Sequence, residues 1–258
     1  MEQRLSFGSI AELYDRTRPS YPAALVDDVL AFCGVQRPRV LDVGAGTGRA
    51  TVLFAARALS VLAIEPSAEM AAIGRRNCAR FGDAVSFELE DFERWQPGDR
   101  RFDLLISGQA WHWVAPGVRT ERARALLAAG GALALFWNTQ QWRRSELFEP
   151  VRAAYDELVP GFRATPGARS HSGAAWGEHA RELEAAPGFA APEYRRYEWA
   201  ATVTTAQYVD VTRTQSDHIG LKPDLRERLL EAVGNVIDEA GGSFTLPFES
   251  QLWLARAV

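Results

Sequence analysis

Lysine is nearly missing from this chain. Lys222 is the only one among 29 basic residues, so arginine fills almost every cationic position. With alanine so abundant, this is coding bias and not an RNA-binding signal. Cysteine is scarce too: Cys33 and Cys78 have no partner motif. His171, His179 and His218 are scattered without metal-ligand spacing, which argues against a zinc site. No apolar run approaches the roughly 20 residues of a membrane span. The opening MEQRLSFGSI lacks the basic-then-apolar layout of a secretory leader. A cytoplasmic, reduced protein without a membrane partner is the expectation. A net charge of −4 offers no bulk attraction for a polyanion. There is no internal repeat, no low-complexity tract and no G-x-S-x-G elbow.

What is present is a strand–helix alternation. With 258 residues, 47% of them hydrophobic, the chain is long enough for one large α/β domain with an insert. Residues 22–33 have apolar positions at helical spacing, with Pro22 suited to the first turn. RVLDV, SVLAIE, AVSFELED, FDLLISG and ALALFWN read as five strands. The stretches 47–59, 67–81 and 118–131 read as helices between them, the second capped by Ser67 and the third ended by glycines. Strands alternating with helices predict right-handed crossovers and a parallel sheet. The rhythm breaks after Asn138. From there to about 192 no strand is expected, and a helical lid is the better reading than a structureless loop. Its helix at 145–158 places Phe148 and Tyr155 on an apolar face to be covered on closure. EYRRYEWAATV and FESQLWLARAV complete a mostly parallel, seven-stranded, Rossmann-like α/β sheet, with helices predicted over 205–220 and 224–240. The expected division is a core over 1–138, a lid over 139–192 and the rest of the core over 193–258.

RVLDVGAGTGRAT, residues 39–51, holds the chemistry. Gly44, Gly46 and Gly48 follow a strand as G-x-G-x-G. A dinucleotide loop needs a further glycine where Arg49 stands, for close helix–strand packing. Asp42 precedes the loop, and a carboxylate there repels pyrophosphate but suits a cationic ligand. Glu65 ends the second strand, where ligands of open α/β sheets lie, and is placed to accept both hydroxyls of a ribose. Pro66 keeps Glu65 out of helical backbone. Loop amides plus Glu65 describe a nucleoside with a partly cationic tail, which S-adenosylmethionine fits.

VLDVGAGTG, LAIEPSAEM, LEDF, FDLLISGQAWHWV and LLAAGGALALFWN stand in the order and spacing of the class I S-adenosylmethionine-dependent methyltransferases, which the chain resembles. QAWHW and AELYDRTRPSYP are most similar to the branch with trans-aconitate-type small-molecule enzymes. The resemblance implies that Asp42, Gly44, Ala45, Gly46 and Gly48 line the methionine end of the cofactor. By the same token Glu65, with Pro66 and Met70 beside it, holds the ribose. Asp91 and Phe92 meet the adenine, Gln109 sits beside the methyl donor, and Tyr14 and Arg18 close over the site. The cofactor implied is S-adenosylmethionine, leaving as S-adenosylhomocysteine, with no metal.

Trp111, His112 and Trp113 admit two readings. Either the indoles pack on the sheet around a structural histidine, or they floor the substrate site, where aromatic faces attract a sulfonium. In the second, His112 is the candidate base, with an ordinary pKa of about 6.5. Arg143 and Arg144 could clamp a substrate carboxylate or simply start a solvated helix. The expectation is methyl transfer to a small-molecule acceptor by a monomer or homodimer. Rivals are a cofactor-binding protein without transfer, a nucleotide-binding oxidoreductase, and a nucleic-acid methyltransferase. The last is disfavoured by SGQAWHW after the fourth strand and by the lack of a basic stripe.

Overall fold

The computed structural model describes residues 11–162, 164–166 and 181–258. Its elements run α1 (Ala11–Thr17), α2 (Ala23–Cys33), β1 (Arg39–Val43), α3 (Arg49–Ala55), β2 (Ser60–Ile64), α4 (Ala68–Cys78), β3 (Val85–Glu88), β4 (Phe102–Gly108), α5 (Arg119–Leu126) and β5 (Leu127–Gln140). They continue with α6 (Phe148–Leu158), β6 (Glu193–Thr204), α7 (Thr205–Arg213), α8 (Ser216–Ile219), α9 (Pro223–Glu239) and β7 (Ser243–Arg256). The sheet order is β3-β2-β1-β4-β5-β7-β6. β1 to β5 are parallel, and β7 runs antiparallel between β5 and β6. Chain order reverses between β1 and β4, which opens a crevice beyond their carboxyl ends.

Both faces of the central parallel strands are buried, as such strands require. Val40, Leu104, Ile106 and Phe136 pack against α2 and α3 on one face, while Leu41, Leu105, Leu135 and Trp137 turn to the other. A third cluster lies at the β5–β7–β6 edge. There α6, α7 and α9 bury Trp142, Phe148, Val151, Tyr155, Tyr208 and Leu229 with Phe244 and Phe248 of β7. Phe148 and Tyr155 are therefore already covered, at 8% and 1% exposure, without any closure. The apolar stripe of α6 finds its partner in α9.

Several boundaries differ from the sequence reading. α5 stops at Leu126, and Gly130 and Gly131 lie within β5. The β4 register jumps there from Leu127 to Ala132, so the glycines serve a bulge and not a helix cap. Helix α3 ends at Ala55. Pro22 sits just ahead of α2 and not in its first turn, and Ser67 caps α4 by accepting from the Met70 amide at 3.3 Å. Part of the predicted lid, residues 167–180, lies outside the described residues, and 181–185 are helical. No helix among the described residues is long and apolar enough to cross a membrane.

Candidate functional site

A cavity of about 980 Å³ opens over the carboxyl ends of β1, β2 and β4. It begins at the glycine loop. The Gly44 and Ala45 amides donate to the Ile64 carbonyl at 2.9 and 3.0 Å, which ties the loop to the end of β2. Gly44 has φ +70°, and a Cβ there would lie 2.5 Å from that of Ala110, so only glycine lets the loops after β1 and β4 meet. Gly46 has φ +57° and lines the cavity with only the Met70 methyl near its Cβ position. Gly48 does not line the cavity, contrary to expectation. Its Cβ would meet Cys78 Sγ at 3.2 Å and Gly74 at 3.3 Å, so it serves the packing of α3 on α4.

Two carboxylates stand at the strand ends. Glu65 is fixed on both oxygens: Oε2 accepts from the Gly46 amide and Oε1 from the Ser67 amide, each at 2.9 Å. Asp42 is fully buried. Its Oδ2 accepts from Thr51 Oγ1 at 2.7 Å, while Oδ1 has no donor. Burial pushes the Asp42 pKa up to about 7; Thr51 opposes the shift, and the charge of Glu65 adds to it. A buried carboxylate oxygen without a donor, at the wall of a cavity, is costly unless a ligand supplies one.

Pro66, Met70, Phe92 and Trp113 line the cavity, and so do Tyr14, Arg18 and Arg143. Gln109 lines it too, from a left-handed backbone at φ +58°. Its amide donates to Phe136 O at 2.9 Å and its Nε2 to Asn138 O at 3.1 Å. Strain of this kind, roughly 1–3 kcal/mol, collects at functional sites. Arg144 instead pairs with Glu198 at 3.1 Å.

Besides Gly48, three expected site residues stand elsewhere. Trp111 is completely buried beneath the loop, against Phe92, and belongs to the core. The turn Trp111–Trp113 rotates His112 outward, where the ring is exposed and outside the cavity lining. There it packs on Trp113 at 4.8 Å and accepts from Trp137 Nε1 at 3.5 Å. Asp91 does not reach the cavity either. Its carbonyl accepts from the Arg94 and Trp95 amides, and the acids on the wall are its neighbours Glu90 and Glu93. His171 and His179 lie outside the described residues. His218 is buried and shares a hydrogen bond of 2.9 Å with Tyr155. Among the described residues no cluster of His, Cys, Asp and Glu could hold a metal ion.

Tyr21, Arg49, Asn138, Trp142, Tyr208 and Asp217, none of them expected from the sequence, also line the cavity. Asn138 ends a predicted strand and Arg49 directly follows the loop, so those two were within reach. Tyr208 and Asp217 come from helices whose docking no local pattern reveals.

Residues 40–131 match a family model described as a methyltransferase domain. An uncharacterized methyltransferase of Mycobacterium tuberculosis is 37% identical over 146 residues, 55% of this chain and 56% of the relative. The chain thus spans little more than half the length of that relative. Among solved structures, a protein from Anaeromyxobacter dehalogenans assigned provisionally to the type II methyltransferases superposes with a TM-score of 0.65. It is 19% identical, with 93% of this chain and 97% of that one covered. A phosphoethanolamine N-methyltransferase of Haemonchus contortus, solved with S-adenosylhomocysteine, gives a TM-score of 0.55 at 14% identity, covering 97% of this chain and 57% of that one. At such identities these structures are alike in fold.

Proposed function

We propose that the chain is a class I S-adenosylmethionine-dependent methyltransferase, which the match of residues 40–131 to a methyltransferase-domain model supports, and that it methylates a small molecule held in the cavity above the sheet. The observation that carries this reading is the Asp42 carboxylate, buried at the cavity wall with one oxygen lacking a donor. A ligand ammonium would satisfy that oxygen and draw off the proton that burial favours. Glu65 is held in place by backbone amides. A carboxylate oxygen accepts more than one hydrogen bond, so Glu65 can also take the hydroxyls of a ribose. Gly46 leaves room for a ligand to approach the backbone. Phe92, Met70, Trp113 and Val114 offer apolar surface to a purine. These residues fit the cofactor.

When bound, S-adenosylmethionine supplies an electrophilic methyl group on a sulfonium. The chain's own residues bind, align and exclude water. Alignment alone contributes roughly 7–11 kcal/mol in well-oriented systems. No histidine among the described residues lines the cavity, so alignment and not a histidine base carries the catalysis in this reading. The same observation favours a second reading, cofactor binding without transfer. Mass spectrometry of the purified chain, followed by incubation with labelled cofactor and a small-molecule extract, separates the two. Co-purifying S-adenosylmethionine or S-adenosylhomocysteine and label in a new small molecule are expected. Retained cofactor with no labelled product supports the second reading, and bound NAD overturns both.

A further inference from the structure

Arg119 is a buried cation that the site as described does not use. It opens α5 and is 5% exposed. A cation at a helix N-terminus stands at the unfavourable end of the dipole, so the helix gains nothing from it there. What the side chain holds lies elsewhere. Its Nη1 donates to two carbonyls of the loop after β4, Trp111 at 2.9 Å and Val114 at 3.2 Å. Its Nε donates to both carboxylate oxygens of Glu182 at 2.9 Å, and its Nη2 pairs with the same carboxylate. One guanidinium thus ties both ends of residues 111–114 to an acid 63 positions away along the chain.

Apolar contact reinforces the ion pair. Leu183, beside Glu182, is 1% exposed and belongs to one cluster with Phe92, Trp111 and Val114. Phe92, Trp113 and Val114 line the cavity, whereas none of residues 181–185 does. The helical residues 181–185 therefore support the back of a wall whose front faces the ligand space. The wall's own backbone bonds are local: the Trp113 amide donates to Ala110 O at 2.8 Å and the Val114 amide to Trp111 O at 3.2 Å. Side chains fix its position against the rest of the domain. Removing one partner of a buried ion pair leaves the other charge uncompensated, so loss of Glu182 disturbs the hold of Arg119 on the loop carbonyls as well.

We propose that Arg119 and Glu182 form a clasp that positions the wall of residues 111–114 against the purine of the cofactor, and so couples cofactor binding to the seating of residues 181–185. The inference rests on the methyl-transfer reading, which puts the purine against Phe92, Trp113 and Val114. Both are positioning residues, and neither lines the cavity. Such coupling is reciprocal: a clasp that strengthens cofactor binding is itself stabilised by the cofactor.

Amide hydrogen exchange and titration calorimetry on the full chain test it. In the ligand-free chain R119Q should speed exchange of the Trp113 and Val114 amides at least about tenfold and leave β1 and β4 unchanged. Equal protection in both proteins, or acceleration spread evenly over the sheet, overturns the clasp. S-adenosylhomocysteine should slow exchange at residues 181–185 of the wild type at least about fivefold, and R119Q should abolish this effect. No such protection in ligand-saturated wild-type protein overturns the coupling, and that measurement needs no variant to fold. S-adenosylhomocysteine and 5′-methylthioadenosine should both bind E182A at least about fivefold more weakly, because the loss lies at the adenosine end. E182Q keeps an acceptor oxygen and should lose less. A merely structural pair would lower the melting temperature of E182A and leave both affinities unchanged below it, which overturns the proposal. Failure of wild-type protein to bind S-adenosylhomocysteine breaks the methyl-transfer reading instead, and exchange in the ligand-free chain still reads the clasp.

Discussion

The two ends of the cavity are held in place differently. At the glycine-loop end most polar groups are tied down close to the strand ends: Glu65 accepts from the Gly46 and Ser67 amides, Asp42 Oδ2 from Thr51, and the Gly44 and Ala45 amides donate to the Ile64 carbonyl. At the other end the walls come from separate parts of the chain. Arg18 follows α1, Arg143 sits in a short turn after β5, and Tyr208 and Asp217 belong to α7 and α8. A ladder of backbone hydrogen bonds holds the first end, and side-chain packing in the third apolar cluster holds the second. The difference suggests a division of labour: a rigid end for a ligand that does not vary, and a packed end whose residues are free to differ in shape and charge.

The sharpest way to break this division is at Gly46. Gly46→Val puts a β-branched residue at φ +57° and fills ligand space beside Met70, so S-adenosylhomocysteine affinity should fall at least about 100-fold by calorimetry. Near-native affinity would place the ligand elsewhere. Glu65→Ala comes next. A hydrogen bond to a charged group contributes roughly 1.5–3 kcal/mol, so the dissociation constant should rise at least about tenfold. Because Glu65 also holds two amides, a lower melting temperature should accompany the change, and unaltered binding would remove Glu65 from the site.

Asp42 gives the glycine-loop end a pH signature. Its pKa rises on folding from 3.8 to about 7. A cationic group binds the ionised form, so below pH 7 binding must release a proton. S-adenosylhomocysteine affinity should climb by up to about tenfold per pH unit between pH 5.5 and 7, then level off. Stability of the ligand-free protein runs the other way. Between about pH 4 and 7 the folded chain holds a proton that the unfolded chain has lost, so this contribution is full below pH 4 and fades as pH rises through 7. Asp42→Asn should flatten both slopes; slopes that survive it would belong to another group. The smallest effect is expected at His112. Its ring is exposed and outside the cavity, so His112→Ala should change turnover by less than about threefold in a methyl-transfer assay. A loss of 100-fold or more would return it to the site as a base.

Alternation of apolar and polar positions, the three glycines and Ser67 were enough to place β1 to β4, α2 and α4, and the loop between β1 and α3, because each depends on contacts close in sequence. The same locality made Asp42 and Glu65 legible, since a residue ending a parallel strand beside a glycine loop has few places to go. Three matters were decided only in the tertiary structure. A single turn after β4 buries Trp111 and turns His112 outward, and neighbours in sequence on such a turn face opposite ways. The cavity-facing acids after β3 are Glu90 and Glu93, not Asp91, and nothing in the run of acids distinguishes them. Arg18 and Arg49 stand 31 positions apart in sequence, and only the packing of the N-terminal segment on α7 brings both to the lining of one cavity. Local propensity fixes where a strand ends; which side chains then share a cavity depends on how distant elements dock, and no period in the sequence carries that information.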